Sequence, residues 1–436
     1  MPRVAAIALT TTVALLASGC SDPAPPQVQQ TPSGPLLPLP ITEPIMRVRL
    51  DRIDGSADPL LLGATSQPLT LSGAGEASHW DGPIEVSRGA DGWIIGGRGG
   101  PLSSQAILAD QIEVIATTPI TLPGDKGEQD SVYGGSMRLV ADDDEHGAAF
   151  LLLNVVSMEQ YLPGVLQAEL FNGWPAATFE AQAVAARSFA AMQAHHRAGK
   201  HWDVTNTPAT QAYMGLATDP VARQAVLDTH GQVLAFGDNL VPGYFSSCCG
   251  GLPSAGTDAV GPNPVNAQPP LAGHAGPMQC SEAPVYSWTR SVSAEAVFKA
   301  LQAWGRHTGS ATVQELSGVQ GIEPVDHNDH GRPRRLRVVD RGGHEVQLAC
   351  VDMTTVLMDL PKGPLMSGWF AARRVGDRLE LDGRGFGHGA GLCQYGAAEM
   401  GRQGASASAI LEFYYPGAHV QRVWNNAGQG NLVSFQ

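Results

Sequence analysis

The sequence predicts an α+β fold, β-rich around one central helical segment, and three observations carry that prediction. After residue 45, short runs alternate apolar and polar residues between Gly-, Pro- and Asp-rich turns, as half-buried strands do. Near residue 180 the apolar positions switch to spacings of three and four, the period of a helix. The composition is that of a folded body: hydrophobic residues make 43% of 436 and charged residues only 16%, against a typical ~25%. Gly 52 and Pro 32 together stay below the ~25–30% of low-complexity chains. A net charge of -14 argues against non-specific binding to nucleic acid or anionic lipid, so no nucleic-acid partner is expected. At ~150 residues per domain the length allows two or three units.

Arg3 and the apolar run Val4 to Ala17 read as a secretory signal, because fourteen residues fall short of the ~20 that a membrane-spanning helix needs. Ala17-Ser18-Gly19-Cys20 resembles a bacterial lipobox, which implies lipidation at Cys20 and a tether to the membrane. Ordinary secretion with cleavage nearby is the alternative. Residues 21–44, rich in Pro, Gln, Ser and Thr, favour an extended linker that buries no core. The expected organisation is a signal peptide at 1–20, this linker, a β-rich region at 45–134 and a main domain at 135–436. Everything beyond the signal belongs outside the cytoplasm, in the cell envelope.

Strands are expected at 45–50, 93–95 and 111–115, and a hairpin at 136–140 and 150–156 around the acidic turn Asp142 to Gly147. That turn lacks the spacing of a calcium loop and is expected to be solvated. Ser157-Met-Glu-Gln160 fits a capping box, and Pro163-Gly164 should interrupt the helix it starts. A longer helix follows Trp174-Pro175, with proline in its first turn, and fades near Gly199. Phe179, Ala183, Ala186 and Ala190 form its buried stripe. Arg187 lies about 70° from the centre of that stripe at 100° per residue, an edge position that usually has a partner. Farther on, 287–292, 294–304, 335–339 and 345–349 read as strand, helix and two strands. Asp326 to Gly331 is expected to be a hairpin turn, although its composition resembles a metal loop.

Three blocks resemble one known family. Tyr161-Leu-Pro-Gly-Val-Leu-Gln-Ala-Glu169, Trp174-Pro175 and Ala181-Gln-Ala-Val-Ala-Ala-Arg187-Ser188 make the first; Asp203 and Gln211-Ala-Tyr213-Met-Gly215 make the second. Gly383-Arg-Gly-Phe-Gly-His388-Gly-Ala-Gly-Leu-Cys-Gln394-Tyr395-Gly396-Ala397 with Tyr414-Tyr-Pro-Gly417 closes the set. Over about 135–425 the chain resembles the stage II sporulation protein D and amidase-enhancer family (SpoIID/LytB). A SpoIID-like fold is therefore expected, with the helical segment carrying catalysis.

The resemblance implies peptidoglycan as partner and lytic transglycosylase activity on its glycan strands, with Glu169 as the catalytic acid. One carboxyl of raised pKa can protonate the glycosidic oxygen while the muramyl C6 hydroxyl attacks C1, so no second carboxylate is required. A surface glutamate at a helix end is the plain alternative for Glu169. Arg187 is implied to orient Glu169 or bind a sugar substituent, with a structural ion pair as the competing role. His388, Gln394 and Tyr395 are implied substrate contacts, and Trp174 is a sugar platform or a core residue. Sporulation itself does not follow from the family's name.

Five cysteines besides Cys20 (248, 249, 280, 350 and 393) leave an odd count. Phe245-Ser-Ser-Cys-Cys249-Gly-Gly251 stands where relatives carry a Ser- or Cys-rich Gly-Gly segment, some with zinc ligands nearby. Cys249, His274 and Cys280 could supply a structural zinc, with Cys248 a fourth ligand, although Phe245 and Leu252 replace histidines common in relatives. Spacing does not separate zinc from a Cys249–Cys280 disulfide, which an oxidising compartment favours. No cofactor is required for the expected chemistry. A cysteine hydrolase built on Cys249 or Cys393 with His388 is a further alternative. Against the enzyme stand a non-catalytic glycan-binding enhancer of a cell-wall amidase and a purely structural wall anchor.

Overall fold

The alternation at 45–50 becomes the strand Ile45–Asp54, with Met46 and Val48 fully buried. The structure, a computed structural model, describes residues 35–425 except 55–58, 66–67, 74–76, 90, 99–106, 125–128, 143–147, 277–278, 359 and 361–364. The signal sequence, Cys20 and most of the expected linker lie outside the described residues. So does the tip of the acidic turn, but the hairpin it joins forms as expected: Ser136–Ala141 pairs antiparallel with Ala149–Ser157.

Ala149–Ser157 is also the antiparallel partner of Ile45–Asp54, with one register shift between Arg49 and Asp51. The sheet they share has seven strands, in the order Val204–Thr205, Ile45–Asp54, Ala149–Ser157, Ser136–Ala141, Gln111–Ile115, Leu69–Ser72 and Ser78–Trp80. A five-stranded sheet runs Gly92–Gly97, Ile84–Gly89, Leu60–Ala64, Ile120–Leu122 and Ser131–Tyr133. Fully buried Trp93 of this sheet meets Phe150 of the first edge-on, ring centroids 5.2 Å apart, so the two share one core.

Two expected boundaries change. The division at 134/135 cuts through the seven-stranded sheet, because strands on either side of it satisfy each other's backbone groups. The linker ends before residue 44: Leu37 is 3% exposed, and its carbonyl accepts the Leu240 N–H at 2.8 Å.

Residues 287–384 build a second core. Six antiparallel strands run Ser287–Ser293, Arg378–Arg384, Phe370–Val375, Gly321–His327, Pro333–Val339 and Glu345–Ala349. The helix Ala294–Thr308 contributes Val297 and Leu301 to that core. The turn after Asp326 is the expected hairpin, with Arg334 paired to Asp326 at 2.6 Å.

Between the first two sheets and the chain's end lie helices α1, Met158–Glu169, and α2, Ala176–His196. The capping box does not form. Ser157 makes no side-chain cap bond; instead Glu43 accepts the Glu159 N–H at 3.0 Å, and the Pro44 carbonyl accepts that of Met158. Nor does Pro163-Gly164 break α1. Proline there removes one backbone donor in the second turn, a loss the packed helix absorbs. Gly164 is a point of close approach: a Cβ on it would fall 2.0 Å from the Gly215 carbonyl oxygen and 2.8 Å from the Tyr213 ring. In α2 the stripe Phe179, Ala183, Ala186 and Ala190 is buried as expected, and Pro175 takes the N-cap position.

Candidate active site

Glu169 ends α1, half-buried, with both carboxylate oxygens engaged. Oε1 accepts the Ala212 N–H at 2.8 Å, and Oε2 accepts from Gln394 Nε2 at 3.3 Å. The two ends of the family-like pattern therefore meet at one carboxyl. Loss of water pushes its pKa up from the ordinary carboxylate value, and these two hydrogen bonds oppose that rise.

The residues flanking Ala212 hold its amide in place. Gln211 donates to the Ala186 carbonyl of α2 at 3.2 Å and accepts from the Tyr161 hydroxyl at 3.2 Å. Tyr213 donates to Asn154 Oδ1 at 2.8 Å and stacks on Tyr161 at 4.8 Å. Asp203, from the same block, accepts the backbone N–H of Arg47 and binds its guanidinium, tying the segment to the first strand.

Beside the carboxyl lies an aromatic cluster. Phe171, Trp174 and Tyr395 stand 5.3, 5.9 and 5.2 Å apart between ring centroids, and Phe171 is 57% exposed. Trp174 and Tyr395 are half-buried and pack against the core, which leaves Phe171 as the exposed ring of the three. Trp174 and Tyr395 were expected here. Phe171, two residues after Glu169, was not; its only sequence signal is a large apolar residue at a helix end.

Arg187 corrects the sequence expectation. Its side chain is fully buried and turned to Glu159, with Nε and a terminal nitrogen 2.9 and 2.8 Å from the two carboxylate oxygens. It also donates to the Gln232 carbonyl at 3.0 Å. Glu159 further accepts from the Gly231 N–H and from Trp424 Nε1, both at 3.1 Å. A guanidinium enclosed in this way reaches no sugar and does not orient Glu169; it joins α1, α2 and the C-terminal segment.

His388, half-buried, is held by the loop around it. Its Nδ1 accepts the Ala390 N–H at 3.0 Å, and its ring meets Tyr244 edge-on at 6.1 Å. Burial, with a smaller contribution from Arg332, lowers its pKa to about 4, against a hydrogen bond to the Phe245 backbone. A neutral imidazole braced in this way shapes the glycine-rich loop.

That loop lies against the cysteines. Phe245–Ser246 and Leu392–Cys393 form a two-stranded parallel pair, and Cys248 and Phe386 exchange backbone hydrogen bonds at 3.0 and 2.8 Å. Gly250 and Gly385, both at positive φ, abut so closely that a Cβ on Gly250 would fall 2.7 Å from the Gly385 nitrogen. Among the described residues, the Sγ atoms of Cys248, Cys280 and Cys393 lie within 4.8 Å of one another. Cys249 Sγ is 3.4 Å from that of Cys280, so the expected proximity is present without the disulfide: every described cysteine is a free thiol. Hydrogen bonds from Cys248 and Cys249 hold Cys280 well below the usual thiol range, and the bond to Cys280 pushes Cys248 up to about 12. His274, expected as a ligand, is outside this group. Its ring meets Phe413 at a tilt at 4.4 Å and Tyr414 edge-on at 5.0 Å, and its Nδ1 is buried without a hydrogen-bond partner.

Comparisons with known proteins show what the chain is similar to. Residues 146–236 match the model of the stage II sporulation protein family (SpoIID), and residues 273–391 match a domain of unknown function (DUF8618). The chain is 28% identical over 290 residues to an uncharacterized protein of Brachyspira hyodysenteriae, across 66% of this chain and 72% of the other. It is 25% identical over 283 residues to stage II sporulation protein D of Bacillus subtilis, across 61% and 74%. To the amidase enhancer of the same organism it is 24% identical over 292 residues, 59% of this chain and 39% of the relative. Glu169 and Ala212 lie inside the first matched segment; Gln394 and Tyr395 lie beyond both.

Proposed function

We propose, for a chain that belongs through residues 146–236 to the stage II sporulation protein D and amidase-enhancer family, that it cuts peptidoglycan glycan strands as a lytic transglycosylase. The observation that carries this reading is Glu169: a carboxyl of raised pKa, fixed from two sides, two residues before the exposed ring of Phe171, which meets half-buried Trp174 and Tyr395.

The chemistry follows from that placement. The Ala212 N–H holds Oε1 and leaves Oε2 to carry the proton. A half-turn of the Gln394 amide presents its oxygen to the protonated acid and its nitrogen to the anion, so one neighbour serves both states. Glu169 gives its proton to the glycosidic oxygen as the bond to C1 breaks. The C6 hydroxyl of the muramyl sugar attacks C1 and returns a proton to Glu169, leaving a 1,6-anhydro end and a restored acid. Aromatic faces beside the acid would hold the sugar during the exchange.

The amidase enhancer among the relatives keeps a second reading in view, a glycan-binding protein that stimulates a cell-wall amidase. Purified protein incubated with intact and peptide-stripped glycan, followed by mass analysis, separates the two. The enzyme releases anhydro-muramyl ends that vanish in Glu169→Gln while glycan binding persists. The enhancer makes no such ends, and its stimulation of an amidase survives the substitution. We place the activity in the cell envelope, on a lipid tether at Cys20.

A further inference from the structure

We propose that a cleft on the second core binds the free end of a wall peptide, an α-amino-acid group that carries ammonium and carboxylate on one carbon. The cleft has a volume of about 490 Å³ and lies within the segment matched to the domain of unknown function. Three adjacent antiparallel strands build it. Ser287 stands opposite Arg384 and Thr289 opposite Asp382, while Ala371 flanks Asp382 on the other side. The Arg384 N–H donates to the Trp369 carbonyl at 2.9 Å, which completes the first row. Strand residues alternate between faces, so these side chains share the side turned away from the core. Trp288, Phe370 and Gly383, one place along each strand, are buried. Gly383 leaves room for the Trp288 indole beneath the cleft: a Cβ on it would fall 2.1 Å from that ring.

Charge in the cleft is ordered. Asp382 and Arg384, both exposed, stand ~6.5–7 Å apart along one strand. The Arg384 guanidinium lies over the Trp369 ring at 5.5 Å; beyond that, neither side chain has an ion pair or hydrogen bond among the described residues. A second guanidinium, that of Arg332, reaches the same indole at 5.2 Å. Arg332 is 4% exposed and donates to the carbonyls of Cys249 and Leu252 at 2.5 and 2.9 Å, with no carboxylate against it among the described residues. The Trp369 end is therefore positive, although the chain as a whole carries -14. A phosphate there would face the Asp382 carboxylate, and a neutral sugar would leave both cations unanswered. A zwitterion meets both ends, its carboxylate on Arg384 and its ammonium on Asp382. The hydroxyls of Ser287 and Thr289 stand alongside, and Trp369 offers a wall for the chain attached to it.

Stem peptides of peptidoglycan carry such a group where a diamino acid keeps its second amino-acid end free. Assigning the ligand to the wall rests on the reading of this chain as a peptidoglycan protein; the chemistry of the cleft does not. Trp288 Nε1 donates to the Gly385 carbonyl at 2.9 Å, tying the floor of the cleft to the glycine-rich loop that ends at Gln394. A glycan strand that still bears its peptide would be held at both ends of that segment.

The test is calorimetric titration of the purified protein with a muramyl tripeptide ending in meso-diaminopimelate. Saturable binding is expected, weakened about 10- to 100-fold when the free amine is acetylated or the carboxyl on the same carbon is amidated. Asp382→Asn and Arg384→Gln should each lower affinity by a similar factor without moving the unfolding midpoint, since both side chains are exposed. The acetylated tripeptide should bind Asp382→Asn and wild type alike, a coupling that general damage to the fold would not produce. Absence of binding, or equal binding of the capped peptides, overturns the proposal. Tighter binding of peptide-free glycan, lost in Arg384→Gln, makes the cleft a sugar site and overturns it too. Alanine, which has the zwitterion without a chain for Trp369, should bind more weakly; alanine that binds as tightly removes the wall peptide as ligand. None of these readouts passes through Glu169: a chain that cuts no glycan can still bind the peptide, and a failed titration leaves the role of the acid intact.

Discussion

Arg187 and Glu159 form a two-pronged ion pair inside the protein, 2.9 and 2.8 Å, and Trp424 from the far end of the chain donates to the same carboxylate. Breaking a buried pair from one side leaves the other charge without a partner. Arg187→Met and Glu159→Leu should each cost ~3–5 kcal/mol in denaturant unfolding, whereas the double substitution should recover part of that loss. A sugar-binding arginine would behave otherwise: its loss would weaken glycan binding with little change in stability.

Glu169→Gln should stabilise the protein at neutral pH. The folded protein holds this carboxyl's pKa above its ordinary value of 4.5 because burial disfavours the anion. Its favourable contribution is thus complete in acid below that value and is lost as pH rises through the folded pKa. Thermal unfolding from pH 3 to 8 should show the variant and the wild type converging in acid and separating at neutrality. Activity of the wild type should fall over the same rise, since the acid must be protonated to act.

Gly164→Ala tests the contact between α1 and residues 213–215. The added methyl meets a backbone oxygen that has no rotamer to change, so the segment must shift and carry the Ala212 N–H away from Glu169. A loss of about 1–3 kcal/mol in stability is expected. A larger fractional fall in anhydro product than in folded protein would mark the displaced amide.

Phe171→Ala should leave the unfolding midpoint nearly unchanged, because the ring is mostly in water. By the ~0.5–1.5 kcal/mol of a ring contact, it should weaken binding of denuded glycan by about 2- to 10-fold. Calorimetric titration that shows unaltered affinity would remove the aromatic platform from the site.

Cys20→Ala should release the chain from the membrane fraction or leave it unprocessed. Fractionation indistinguishable from the wild type would sink the lipid anchor.

Local patterns were legible where one strand or helix face decides the outcome. The alternation at 45–50 and the stripe from Phe179 to Ala190 are buried as the sequence indicates. What escaped depends on partners far along the chain. Pro163-Gly164 reads as a stop because the loop-to-helix contact that requires a glycine comes from residues 213–215. The partner of Arg187 sits 28 residues away on another helix, at a position with no signal beyond its charge. The Cys393 thiol is 144 residues from the Cys249 amide it accepts, and the parallel pairing of 245–246 with 392–393 brings them together. The second core at 287–384 offered ordinary strand patterns but no boundary in composition.

A chain made N-terminus first acquires Glu169 and Ala212, 43 residues apart, long before it acquires Gln394, which lies 225 residues from Glu169. Closing so wide a loop is the late step of folding. Until then the acid sits on a finished helix without its second neighbour, and the Tyr395 face of the aromatic cluster is absent. A nascent or truncated molecule thus carries the whole SpoIID-matched segment without the Gln394 contact to Glu169. On the activity proposed above, the order of synthesis itself would delay the blade.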